Sequence, residues 1–169
     1  MRKILSGILI IFVLLGGLIA CKEEEPDSHK GLYGTYEMME ERIEIYFKAT
    51  TYYVTKSSLH VSKFSEEVND ELSSFITDVI AKAGDTIAIY KNGKIKFSGG
   101  SMEREFEYWF PRVFDIRFER TDDFPFYFVN CEKWFSVTPN VWQLETGVPK
   151  RINEELYEIS FFYSEKDKF

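Results

Sequence analysis

Two cysteines, two histidines and five prolines in 169 residues leave this chain short of the groups that most catalytic and metal-binding chemistry needs. No glycine-rich phosphate loop, nucleophile-elbow pattern or His-Glu-x-x-His motif occurs. His29 stands in a charged N-terminal stretch, and His60 sits between Leu59 and Val61, where packing at a strand–helix junction is expected. With no second histidine or thiol at ligand spacing, neither a metal site nor a Ser-His-acid triad is expected, and no cofactor. A basic face is also lacking. Without Arg2 and Lys3 the 21 basic side chains fall to 19 against 28 acidic, a formal −9. That balance argues against a nucleic-acid partner, because phosphate binding needs a cationic surface.

The N-terminus is the most legible segment. Arg2 and Lys3 form a positive start, Ile4 to Leu15 an apolar run, and Gly16-Gly17 a helix-relaxing pair ahead of Leu18-Ile19-Ala20-Cys21. Ile4 to Ala20 is barely long enough to cross a bilayer, where about 20 apolar residues are typical. The ordered pattern of aliphatic residue, tolerant position, small residue and cysteine resembles the lipobox of bacterial lipoproteins. A small Ala20 admits the scissile bond to a tight peptidase pocket, and the Cys21 thiol takes the diacylglyceryl group. Two acyl chains make a stable anchor, so the expected partner is the membrane, reached through lipid rather than protein surface.

Behind the cysteine, Lys22-Glu23-Glu24-Glu25-Pro26-Asp27-Ser28-His29-Lys30 has no apolar area to bury and reads as a solvated tether. Acidic runs in this position resemble the surface-export signals of Bacteroidota lipoproteins, which implies an outer-membrane, surface-exposed address. The expected organisation is a signal over residues 1–20, a tether over 21–31 and one β-rich domain over 32–169.

Within the domain, aromatic residues dominate. Phe114, Ile116 and Phe118 alternate with Asp115, Arg117 and Glu119, the pattern of a half-buried antiparallel strand. Thr121-Asp122-Asp123 reads as a turn, Phe124 to Val129 as the next strand, Asn130-Cys131-Glu132 as a turn, Trp134 to Val137 as a return and Pro139-Asn140 as a further reversal. Lys91-Asn92-Gly93-Lys94 carries the strongest hairpin signal, and a two-residue loop there would set Tyr90 opposite Ile95 and Ala88 opposite Phe97. Further strands are expected at 34–40, 43–47, 51–55, 103–110 and 156–163. One helix interrupts them. Phe64, Val68, Leu72, Phe75, Ile76 and Val79 form one stripe, Ser65 is a natural N-cap and Gly84 a natural C′ residue. The expected fold is α+β: mostly antiparallel, a barrel or strongly curved sheet, with this amphipathic helix packed on it.

Three segments are similar to small lipocalin-like lipoproteins of Bacteroidota: Leu32-Tyr33-Gly34-Thr35-Tyr36, the hairpin Phe47-Lys48-Ala49-Thr50-Thr51-Tyr52-Tyr53-Val54, and Phe126 to Trp134. In the second, Ala49-Thr50 stands where Asp-Gly would be usual. The resemblance implies a barrel able to hold an apolar ligand.

Glu103, Glu105 and Glu107 share one strand face, which is most simply the solvated one rather than a glycosidase pair. Cys131, left alone once Cys21 is acylated, reads as a structural thiol. The residues expected to recognise a ligand are Trp109, Tyr127, Trp134 and Trp142, whose rings can stack on sugars or line an apolar pocket. Two functions follow: a non-enzymatic, membrane-anchored module binding a small apolar or glycan ligand, or an envelope scaffold with a filled core acting through its surface. A hollow interior would favour the first, and a packed interior with exposed aromatics the second.

Overall fold

The computed structural model describes residues 29–99, 103–112, 115–119, 121, 123–124, 126, 128–133 and 142–168. The signal, Cys21, the acidic run behind it, Tyr127, Trp134 and the Pro139-Asn140 reversal lie outside these residues. The order of elements is β1 (Gly34–Phe47), β2 (Thr50–Val54), α1 (Glu66–Ala83), β3 (Thr86–Tyr90), β4 (Lys94–Ser98), β5 (Arg104–Arg112), β6 (Asp115–Phe118), β7 (Phe128–Lys133), β8 (Trp142–Ile152) and β9 (Glu155–Lys168).

Each strand pairs antiparallel with the next in the series β2-β1-β3-β4-β5-β6-β7-β8-β9, and β9 pairs back onto β1. β3 flanks the first part of β1, from Gly34 to Glu37, and β2 the last part, from Ile43 to Phe47. Among the described residues the result is one strongly curled sheet in which β9 turns back onto β1, with a single α-helix against it. Period-two alternation is the local cause. In β9, Tyr157, Ile159, Phe161 and Tyr163 turn inward and are buried. In β5, Phe106, Tyr108 and Phe110 pack on the core while Glu105, Glu107 and Trp109 face out.

The helix lies where its caps put it. Ser65 Oγ accepts from the Val68 N–H at 3.4 Å, and Gly84, at φ 76°, donates its N–H to the Ile80 carbonyl at 2.9 Å. Leu72, Ile76 and Val79 are buried. The preceding Phe64 packs edge-on against Phe47, Tyr52 and Tyr157 at 4.7–6.0 Å between ring centres. Lys150 of β8 bonds Glu71 at 3.1 Å and sits over the Phe75 ring. The buried Tyr163 hydroxyl donates to the Gly84 carbonyl at 3.3 Å. Helix α1 thus lies along the inward face of the sheet, with Phe47 and Tyr157 beside its start and Tyr163 beside its C-cap.

Several expectations change. The β3–β4 loop has three residues, so Ile89 opposes Ile95 and Ile87 opposes Phe97, one position from the predicted register. The reason is burial: this register turns Ile87, Ile89, Ile95 and Phe97 inward together, whereas the predicted one would have faced Tyr90 and Ala88 to the core. Gly93 at φ 84° supplies the left-handed residue that a three-residue loop needs. Asn130-Cys131-Glu132 is not a turn but the middle of β7, in register with Glu145, Leu144 and Gln143. Strand β8, unread in the sequence, pairs with both β7 and β9. The β1–β2 turn is Lys48-Ala49, one residue before the expected Ala49-Thr50. His60 is exposed rather than packed, with Nε2 3.7 Å from Glu66. The fold also reaches back to His29, whose ring stacks on Phe110 at 3.7 Å.

Inside the curl, Phe97, Phe124, Phe126 and Phe161 are fully buried, and Phe97 touches Phe118, Phe124 and Phe126 with ring centres 4.7–5.9 Å apart. Each such ring contributes roughly 2–3 kcal/mol of transfer free energy. Among the described residues this interior is packed with side chains.

Candidate functional site on the outer face of β5 and β6

The groove forms because β5 alternates. Burying Phe106, Tyr108 and Phe110 throws Glu105, Glu107 and Trp109 onto the outer face of the sheet. Tyr108 fixes the strand twice: its N–H donates to the Gly93 carbonyl at 2.8 Å and its hydroxyl to the Tyr90 carbonyl at 2.7 Å. From the other side, Trp109 is in register with Arg117 of β6, and Glu119 follows as β6 ends. An open groove of about 640 Å³ results, lined by Glu105, Glu107, Trp109, Glu119 and Thr121 together with Phe106 and Tyr108. Trp109 is 51% exposed, which is unusual for so large an indole in a folded sheet.

The carboxylates differ in their company. Glu105 holds the Lys94 amine at 2.5 Å and Glu103 the Lys96 amine at 2.8 Å, both from β4. Those hydrogen bonds, Glu105 first for Lys94 and Glu103 first for Lys96, raise both lysine pKa values above the ordinary range. Glu107 and Glu119 form no ion pair or hydrogen bond among the described residues, although Lys94 also senses the charge of Glu107. Below them, Thr121 donates to Asp123 Oδ1 at 2.7 Å, and Arg104 pairs with the other Asp123 oxygen. The Thr121 hydroxyl, with Arg104 second, holds the Asp123 carboxyl below its usual pKa. That small turn fixes the lower wall of the groove.

Of the four aromatic residues expected to bind ligand, Trp109 stands in this groove. Trp142 opens β8 in register with Lys133, and β6 and β7 separate it from β5 in the sheet. Tyr127 and Trp134 lie outside the described residues. Glu105 and Glu107 are exposed, as their alternation predicts, while no local pattern joins Glu119 and Thr121 to them. Only the β5–β6 pairing does so.

What the arrangement offers is a flat aromatic platform beside hydrogen-bond acceptors, the equipment for stacking a sugar ring and accepting from its polar groups. Among the described residues no three His, Cys, Asp or Glu side chains are placed to hold a metal ion, and no helix is long and apolar enough to cross a membrane. A second exposed feature lies on the outer face of β2, β1 and β9. Tyr53 (70% exposed), Tyr46 and Leu156 occupy successive diagonal positions there.

Comparison with family models, curated proteins and solved structures finds no match to this chain. The resemblance to lipocalin-like lipoproteins therefore rests on the three segments quoted above.

Proposed function

We propose that this protein is a membrane-anchored, non-catalytic binding module, tethered at the outer face of the envelope through lipid on Cys21, and that it takes a glycan on the outside of its sheet. The observation that carries the glycan over an apolar ligand is the half-exposed Trp109 indole, flanked by carboxylates, on a sheet whose described interior is filled with phenylalanine. Phenylalanine packing among the described residues supports recognition at the surface, and an indole face beside acceptors suits a pyranose better than a hydrocarbon.

A surface-acting scaffold is the second reading, favoured by the exposed Tyr53, Tyr46 and Leu156 stripe. The two part company at Trp109→Ala. A glycan module loses about tenfold or more in affinity when its aromatic anchor is truncated. Screening the full chain and the variant against an oligosaccharide panel, with circular dichroism as a check on folding, decides between them. Undiminished glycan binding by the variant, or none by the parent, defeats the glycan reading. The anchor is tested separately: Cys21→Ser should abolish incorporation of a clickable palmitate, and equal labelling of both proteins rules the lipid anchor out.

A further inference from the structure

We infer that the stripe of Tyr53, Tyr46 and Leu156 is a contact face for a second copy of this chain, which forms a weak symmetric dimer through it. The face is separate from the Trp109 groove on β5 and β6, so the glycan reading stands or falls without it. The three side chains are 70%, 46% and 44% exposed. Strand register gathers them on the outside of the sheet. Tyr53 is opposite Glu44, Tyr46 lies between Thr51 and Glu158, and Leu156 is opposite Arg151. Exposed Pro149, opposite Glu158, extends the patch onto β8.

Charge points to a second copy as the occupant. The chain carries a formal −7, and a basic partner would be drawn to its carboxylates. This face offers no such field. Strand β2 has no charged residue, Arg42 pairs with Glu44 at 2.9 Å, and Arg151 stands diagonal to Glu158. Lys48 and Glu155 pair at the end of the stripe. An apolar patch whose rim carries both signs in balance is complementary to itself, since a two-fold rotation presents the same patch from both sides. Tyr46 is the middle of the stripe. A two-fold axis there sets Tyr46 against Tyr46 of the second copy and covers all three side chains in both. So short a stripe falls below the roughly 800 Å² per partner of a stable interface, which makes the dimer weak and concentration-dependent.

The test is sedimentation velocity on the full chain at rising concentration, in detergent with micelles in excess so that two chains do not share one. Dimer should grow with concentration and tighten in salt, which screens repulsion between two net-negative chains and leaves apolar contact intact. Tyr46→Asp sets two carboxylates at the axis and should weaken the dimer by about tenfold or more. Tyr53→Asp repeats the test at a more exposed position, and circular dichroism checks the fold of both. Tyr46→Cys should cross-link to its copy under mild oxidation. Asp70→Cys, exposed on α1, should not exceed the level that the parent's own cysteines give. A chain that stays monomeric at every concentration overturns the inference. So does a dimer that both aspartate variants leave unchanged, whose contact lies elsewhere, or one that salt dissolves, which is held by charge.

Discussion

The Arg42 guanidinium lies over the Phe162 ring at 3.8 Å, on the outside of the sheet. Phe162 points away from the core, yet it is only 5% exposed. The cover comes from an excursion in β1, where the register with β9 shifts between Met38 and Ile43. Glu44 holds the guanidinium in place at 2.9 Å.

Arg42→Ala should therefore cost about 1–2 kcal/mol, from lost stacking and re-exposure of a phenyl ring. Arg42→Lys should recover only part of it, since an ammonium lacks the planar face. Urea denaturation midpoints measure both. If the lysine variant matches the parent, the planar contact contributes nothing.

Asn69 is the polar residue that the helical stripe does not reveal. Buried at 3% exposure, it accepts from the Val61 N–H at 2.8 Å and donates to the Val61 carbonyl at 3.1 Å. Replacing it with alanine strands a buried backbone N–H, so Asn69→Ala should lower stability by about 2–3 kcal/mol. Thermal unfolding is the readout. A loss no larger than that of an exposed helix substitution such as Asp70→Ala would mean that water replaces the amide.

Two hairpins turn without glycine. Lys48 and Ala49 have φ of 48° and 60°, and Asn153 and Glu154 have 48° and 67°. The left-handed region costs a residue with Cβ about 1–2 kcal/mol, partly offset by the greater unfolded freedom of glycine. Ala49→Gly and Glu154→Gly should each stabilise by roughly 0.5–1 kcal/mol. A fall in unfolding midpoint for both would contradict the turn geometry.

Thr146 is fully buried in β8, and its hydroxyl finds no hydrogen-bond partner among the described residues. Removing an unsatisfied polar atom without changing shape is favourable, so Thr146→Val should gain about 1 kcal/mol. A destabilised valine variant would show that the hydroxyl is bonded in solution.

The Thr121–Asp123–Arg104 turn should respond to acid. Asp123 has a folded pKa below its ordinary value of 3.8, because the Thr121 hydroxyl and then Arg104 favour its charged form. A lowered pKa gives stability that is fully present above pH 3.8 and lost as pH falls through the folded value. Asp123→Asn should thus be less stable than the parent at neutral pH and equal to it in strong acid. A difference that persists unchanged at low pH would assign the effect to packing instead of charge.

The sequence by itself determined what depends on near neighbours along the chain. Helix α1 runs between the caps read from Ser65 and Gly84, because capping and a helical stripe involve residues a few positions apart. The inward and outward faces of β5, β6 and β9 follow from alternation alone, which needs no partner strand to be legible. Register did not follow: reading Asn92-Gly93 as a two-residue loop set Tyr90 and Ala88 inward, whereas a three-residue loop turns Ile89 and Ile87 to the core. Strand β8 stayed hidden because Gly147, Pro149, Lys150 and Arg151 weaken its local strand signal, and its place is set by pairing with β7 and β9. Cys131 and its neighbours look like a turn locally and become strand for the same reason. The groove, too, is a tertiary fact. Glu107 and Trp109 come from one strand, Glu119 and Thr121 from beyond the next, and only the ladder between β5 and β6 puts them around one opening. Strand pairing joins residues far apart in the chain, and no local pattern encodes which ones meet.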